Sequence, residues 1–180
     1  MRGEKEPEVG ERIFIGIGSN IGDSRRNCLT AIRKISNDSR VELRSVSSLY
    51  TTSPVSLIQQ DHFINCAVEI SWQETPEELL RFLNSIEASM GRVRNEKDGP
   101  RVIDLDILLY GNLIMERPNL VIPHAELHRR KFAIIPCIEI DPDIVHPSLN
   151  RPLRDFLSGI TNDQQITKIE GIDLQENDGP

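Results

Sequence analysis

The chain predicts an α/β (α+β) fold with a mainly antiparallel central sheet. Three observations carry this expectation: strand-type segments with period-two alternation, two helix-type segments with end signals, and their order along the chain. With 180 residues, 38% hydrophobic and 27% charged, the sequence can build one globular domain with a core and is short for two.

Arg12 to Gly18, RIFIGIG, reads as a strand entering a glycine-containing loop, GSNIGD. Asp23 and Ser24 offer N-caps for a helix that carries Cys28, Leu29, Ile32 and Ile35 on one side. Val41 to Tyr50 is strand-like, and Thr51 to His62 is a loop containing a proline. Phe63 to Ser71 alternates, with Ile64, Cys66, Val68 and Ile70 on one face. In TPEELLRFLNSIEASMG, Thr75 and Glu78 form a capping box and Pro76 takes the first helical position. Leu79, Leu83, Ile86 and Met90 make the apolar stripe, and Gly91 ends the helix. Val102 to Tyr110 is the next strand.

This order, β-α-β-β-α-β, is the split-βαβ arrangement of a ferredoxin-like α/β sandwich. It places two helices on one face and is expected to put Val102–Tyr110 in the middle of the sheet. Further along, a helix is expected from about Glu126 to Ile135, broken by Pro136, and a short one over Pro152–Leu157, closed by Gly159. These pieces would cover part of the second face. Residues 1–10 and 160–180 read as polar tails that do not pack, leaving a single domain over 11–159 and too few residues for another.

A formal net charge of -7 argues against a general nucleic-acid binder, so any bound anion must rest on a local positive cluster. No apolar run approaches a membrane span, and MRGEKEPEVGER lacks a signal peptide's apolar core. Cys28, Cys66 and Cys137 stand far apart in apolar patterns and read as buried thiols of a cytoplasmic protein.

The stretch GPRVIDLDILLYG (99–111) holds two carboxylates two residues apart, Asp104 and Asp106. On a strand both leave the same face, roughly 6–7 Å from each other, and need positive charge between them. Surface acids neutralised by arginines would satisfy this, and so would Mg²⁺, which takes one or two carboxylates completed by water and phosphate oxygens. Upstream, GRVRNEKDGPR sets Arg92, Arg94, Lys97 and Arg101 against only Glu96 and Asp98. Guanidinium forks grip phosphate oxygens, so acids beside arginines suit a nucleoside triphosphate with Mg²⁺.

GIGSNIG (16–22) is GxGxxxG with no Walker lysine, and tight-turn geometry is the better reading. In VIPHAELHRRKF, His124 could bond a phosphate or cap a helix, and Arg130 could complete an anion site. No third nitrogen ligand accompanies His124 and His128, which argues against zinc. His62 and His146 read as loop histidines. Phe63 and Asn65 share the strand face opposite the apolar stripe, an ordinary edge pattern that could also stack on and read a flat heterocycle.

In combination, GSNxGD, YxTxP, QxxFxN, ExxxGRxR, GPRxIDLDILxYG and IPH followed by RxF, in this order across about residues 12–157, resemble the 6-hydroxymethyl-7,8-dihydropterin pyrophosphokinases. These folate-pathway enzymes move pyrophosphate from ATP to a pterin alcohol, releasing AMP. The resemblance implies that Asp104 and Asp106 hold two Mg²⁺ ions bridging the ATP phosphates, and that Arg92 and Arg101 act on those phosphates, assisted by Arg94 and Arg130. It implies that Asn84, Glu87, Ile107 and His124 surround the nucleotide. Thr52, Val55 (through its backbone) and Asn65 would hydrogen-bond the pterin, with Phe63 and Phe132 sandwiching its ring. The partners implied are these two small molecules, with no nucleic acid and no membrane, and a monomer is expected. The chain departs from the family pattern in its Trp-less NEKDG loop, at Ser56, at Ala125 and at Lys131. An ADP-forming Mg²⁺-dependent phosphotransferase, a non-catalytic nucleotide- or pterin-binding module and a structural protein stand as alternatives.

Overall fold

A computed structural model describes residues 11–54, 59–92, 99–161 and 164–170 of the chain. The expected tails at 1–10 and 171–180 lie outside the described residues.

The first elements follow the predicted order: β1 (Ile13–Ser19), α1 (Ser24–Ser36), β2 (Val41–Val46), β3 (Leu49–Thr52), β4 (Phe63–Trp72), α2 (Pro76–Ser89) and β5 (Asp104–Tyr110). Asp23 caps α1 by accepting the Arg26 N–H at 3.0 Å. Thr75 caps α2 by accepting the Glu78 N–H at 3.3 Å. After α2 the chain leaves through Gly91 at φ +82°, a conformation that side chains disfavour.

One strand expected over 41–50 is two. Ser47 sends its N–H to the Ala67 carbonyl and takes the Ala67 N–H on its Oγ. Ser48 turns away, donating from N and Oγ to Glu139 at 2.9 and 2.7 Å. The chain therefore leaves the ladder at these two serines and rejoins it as β3.

The main sheet runs β10-β3-β4-β1-β5, with β2 also on β4, and all its pairings are antiparallel. β1 and β4 are central. The expectation that Val102–Tyr110 lies mid-sheet is corrected, because β5 bonds β1 alone in this sheet. Its outer edge is nevertheless buried and satisfied. The Leu105 N–H donates to Glu87 Oε1 at 2.8 Å, and the Leu108 carbonyl accepts the His124 N–H at 2.9 Å. An edge closed in this way can be as apolar as a central strand.

The face bearing Ile13, Ile15, Ile17, Cys66, Val68, Ile70, Leu105 and Ile107 buries against α1 and α2. On the other face, Phe14, Ala67, Leu108 and Leu109 meet Leu127, Ala133, Ile134, Cys137 and Leu153. The second layer follows β5 as a hairpin, β6 (Met115–Arg117) and β7 (Leu120–Ile122), then a 3-10 turn at Leu127–Arg129 and α3 (Lys131–Ile140). The short ribbon β8 (Val145–His146) and β9 (Arg151–Pro152) and a 3-10 helix at Leu153–Gly159 complete it.

The helix expected over Glu126–Ile135 is displaced. Arg130 is extended, and its carbonyl accepts the N–H groups of Ala133 and Ile134, both at 3.0 Å, which starts a new helix at Lys131. Pro136 lies inside α3. The lost backbone bond is offset by burying Ala133, Ile134, Pro136 and Cys137. The expectation that residues after 160 do not pack is also corrected: β10 (Ile166–Glu170) pairs with β3. His146, read as a loop residue, is buried in β8, its ring 5.9 Å from that of His128.

Candidate active site

Leu105 and Ile107 point toward α1 and α2, so Asp104 and Asp106 leave β5 on the opposite face. Across the ladder from them stand Gly18 and Gly16. These glycines lie within β1, which corrects the tight-turn reading of GIGSNIG. Only the last of the motif's three glycines, Gly22, has positive φ (+69°). A Cβ at Gly18 would come 2.6 Å from Asn65 Oδ1, and one at Gly16 3.1 Å from Leu108 Cδ1. Both positions keep the floor of a cavity open.

Arg92 follows the end of α2, and its Nη1 donates to Asp104 Oδ1 and to Glu87 Oε1. Arg101 Nη1 donates to Asp104 Oδ2. Burial works against the Arg92 charge, but the Asp104 and Glu87 carboxylates outweigh it and raise its pKa. Asp106 is in a different position. Burial and the neighbouring charge of Asp104 push its carboxyl well above the usual range, and the positive charge of Arg130 only partly opposes them.

His124 Nε2 lies 3.9 Å from Asp106 Oδ2. Its Nδ1 accepts the Glu126 N–H at 3.1 Å, so the neutral ring carries its proton on Nε2, facing the site. Burial, with help from Arg130, holds the His124 pKa below its ordinary value.

Asn20 ties three segments together beside the arginines. Its Oδ1 accepts the Arg101 N–H at 2.8 Å, and its own N–H donates to the Arg101 carbonyl at 3.0 Å. Its Nδ2 reaches Gln60 Oε1 at 2.9 Å and the Asp61 carbonyl at 3.2 Å. On the other side of Gly18 from Asp104, Asn65 Nδ2 donates to Thr52 Oγ1 at 2.7 Å, and both residues are buried. The Arg101 guanidinium lies 5.8 Å from the Phe63 ring centroid, and Arg130 lies 5.8 Å from that of Phe132.

These groups surround one cavity of about 510 Å³. It brings together Arg92, Arg101, Asp104, Asp106, His124, Arg130, Thr52, Phe63, Asn65 and Phe132. Three other sequence candidates are absent from its described lining. Glu87 is buried on the helix side and braces Arg92 and β5, Ile107 belongs to the helix-side core, and Asn84 is half-buried on α2. Val55 and Arg94 lie outside the described residues.

Gly16, Gly18, Gln60, Glu126, Arg129 and Gln164 also line the cavity and were missed in the sequence reading. For the glycines a signal existed: they alternate with Ile15 and Ile17, so they share the strand face that Asp104 and Asp106 occupy. Arg129 adjoins Arg130 in HRRKF, where the spacing alone does not say which arginine turns inward.

Among the described residues no cluster of three or more His, Cys, Asp or Glu side chains could hold a metal alone. Two hard carboxylates on one strand face fit a small oxygen-seeking cation that completes its shell with phosphate and water. No helix among the described residues is long and apolar enough to cross a membrane.

The sequence pattern of 7,8-dihydro-6-hydroxymethylpterin-pyrophosphokinase (HPPK) matches residues 14–142. A 2-amino-4-hydroxy-6-hydroxymethyldihydropteridine pyrophosphokinase of Aquifex aeolicus is 34% identical over 144 residues, covering 80% of this chain and 89% of that protein. The Folic acid synthesis protein FOL1 of Dictyostelium discoideum is 38% identical over 157 residues, or 87% of this chain. The chain spans only 24% of that protein's length. Among solved structures, wild-type Plasmodium falciparum HPPK-DHPS with pteroate superposes with a TM-score of 0.66 at 14% identity, covering 88% of this chain and 43% of that one, a likeness of fold. With a family match across most of the described domain, the chain belongs to the 7,8-dihydro-6-hydroxymethylpterin-pyrophosphokinase family.

Proposed function

We propose that the chain transfers pyrophosphate from ATP to 6-hydroxymethyl-7,8-dihydropterin, giving AMP and the pterin diphosphate, in the cytoplasmic synthesis of folate. The observation that carries the reading is the cavity itself. It joins a charged group, Asp104 and Asp106 with Arg92, Arg101 and Arg130, to an aromatic and amide group, Phe63, Phe132, Thr52 and Asn65. Arg101 lies beside Phe63 and Arg130 beside Phe132.

Asp104 and Asp106 are the residues that would hold Mg²⁺, as two ions shared with ATP. When bound, the metal supplies Lewis-acid polarisation of the phosphates and lowers the pKa of the attacking hydroxyl. Arg92 and Arg101, fixed by Glu87 and by Asn20, present guanidinium forks to charge developing on the phosphates. His124 offers a neutral Nε2–H donor beside them. Thr52 and Asn65 bind the edge of the pterin while Phe63 and Phe132 flank its ring. This orients the hydroxymethyl oxygen for in-line attack on the β-phosphorus. Val55 would join in binding the pterin and Arg94 in binding the phosphates. The free, buried Cys28, Cys66 and Cys137 support a reducing compartment.

The test is phosphorus NMR of the protein with ATP, Mg²⁺ and 6-hydroxymethyl-7,8-dihydropterin, beside an Asp104→Ala/Asp106→Ala variant. AMP with a pterin diphosphate, lost in the variant, is expected. ADP would make the protein an ordinary kinase, and binding without turnover would make it a sensor.

A further inference from the structure

Gln164 falls in a stretch that reads in sequence as a tail, yet it forms part of the cavity wall. Ser53 N donates to the Gln165 carbonyl at 3.0 Å, and Gln165 N donates back to Ser53 Oγ at 2.9 Å. Gln164 Nε2 donates to the Ser53 carbonyl at 2.9 Å. This clamp holds Gln164 against the cavity, which Thr52 and Asn65 also line. Its other amide atom is left over. Oε1 is sealed from solvent and accepts no hydrogen bond among the described residues.

A buried carbonyl oxygen without a donor is costly and uncommon, so it asks for an explanation. The neighbouring polar groups sharpen the question. Thr52 Oγ1 already accepts from Asn65 Nδ2, so a ligand rich in N–H groups has use for a further acceptor here besides Asn65 Oδ1. The 2-amino-4-oxo edge of a pterin carries such donors on its exocyclic amine and its ring nitrogen. Glutamine's terminal torsion is broad. The amide can therefore swing its oxygen onto a ligand N–H while the Ser53–Gln165 backbone clamp stays closed.

We propose that Gln164 is a binding residue for the pterin, its Oε1 accepting an N–H from the amino edge and selecting heterocycles that carry the 2-amino group. The inference rests on the pyrophosphokinase reading of the same cavity. It also gives the C-terminal segment a role in substrate choice, since β10 and its clamp deliver this oxygen.

The experiment measures dissociation constants of full-length wild type and Gln164→Met for 6-hydroxymethylpterin and for its lumazine analogue, in which a carbonyl replaces the 2-amino group. Both are read by ligand fluorescence in the presence of Mg²⁺ and a non-hydrolysable ATP analogue. Wild type should prefer the pterin, and Gln164→Met should weaken pterin binding by about five- to tenfold while leaving the lumazine nearly unchanged. Equal losses for both ligands, or no loss, would overturn the role of Gln164 with the pyrophosphokinase reading intact. A wild type that binds neither heterocycle would overturn both. Should the Met variant lose its thermal unfolding transition, Gln164→Glu decides. It keeps an acceptor at the same reach while replacing the donor to Ser53 with a charged carboxylate oxygen, so the preference for pterin survives or grows if Oε1 reads the ligand. It disappears if Gln164 matters only as a clamp.

Discussion

Gly18 shows how a single missing Cβ can hold a binding group in place. An alanine methyl there would sit 2.6 Å from Asn65 Oδ1, so the amide must move and its 2.7 Å bond to Thr52 must break or stretch. Gly18→Ala is expected to raise the dissociation constant for 6-hydroxymethylpterin by about tenfold, with a smaller effect on ATP binding, as a fluorescence titration would read. Equal weakening of both ligands would mean that the strand, not the amide, had shifted. The paired aspartates were legible in the sequence because two charges interrupt an apolar strand. The purpose of Gly16 and Gly18 was less legible, since GxGxxxG suits a turn as well as a strand and only the register with Asp104 and Asp106 decides. Asn20 could not be read at all: its bonds reach Arg101 and Gln60, contacts that no local spacing encodes.

At the level of elements, α3 is fastened to the sheet through one carboxylate. Glu139 accepts from Ser48 N and Oγ, from the Tyr50 hydroxyl at 2.7 Å and from Lys168 Nζ at 2.7 Å, and so joins α3 to β3 and β10. Partial burial works to raise the Glu139 pKa, but the bonds from Lys168, Tyr50 and Ser48 outweigh it and pull the carboxyl down to about 2. A depressed folded-state pKa stabilises the fold above the ordinary value of 4.5, and that stabilisation is lost as pH falls through about 2. Glu139→Gln should therefore cost about 1 kcal/mol at pH 7, a modest figure because solvent reaches and screens the carboxylate. Urea unfolding at pH 7 and near pH 2 checks it: the gap between wild type and variant should shrink in acid, and a constant gap would assign the effect to packing. The same clamp explains why β10 escaped the sequence reading. ITKIE is short and mostly exposed, and it is ordered by β3, Glu139 and Ser53 rather than by its own pattern. The placement of β5 failed for a related reason. Apolarity signals burial, and an edge strand closed by Glu87 and His124 is as buried as a central one.

Across the whole molecule, the cavity leaves one of its carboxylates, that of Asp106, poorly compensated in the unliganded fold. Asp104 is bonded by two arginines, whereas Asp106 lies 3.9 Å from His124 Nε2 with no arginine bonded to it among the described residues, and feels both Asp104 and Glu87. Its raised pKa means that the folded state favours the proton, so above that pKa the ionised carboxylate subtracts from stability. Asp106→Asn removes the charge and keeps the shape. The Asp106 side chain is still 39% exposed, so solvent screens the repulsion. The unliganded variant is therefore expected to be more stable than wild type by no more than about 1 kcal/mol, which in a chain of this size raises Tm by at most about 2–4 °C. It is also expected to lose pyrophosphoryl transfer. Calorimetry with and without ATP and Mg²⁺ separates the two effects: wild type should gain stability on adding both, and the variant should gain much less. An unliganded variant less stable than wild type would show that Asp106 supports the fold, and its charge would then need no bound cation to account for it. A more stable but inactive variant would mean that the repulsion between these carboxylates is retained for binding, with the cation supplying the positive charge that the sequence places nowhere else on this strand.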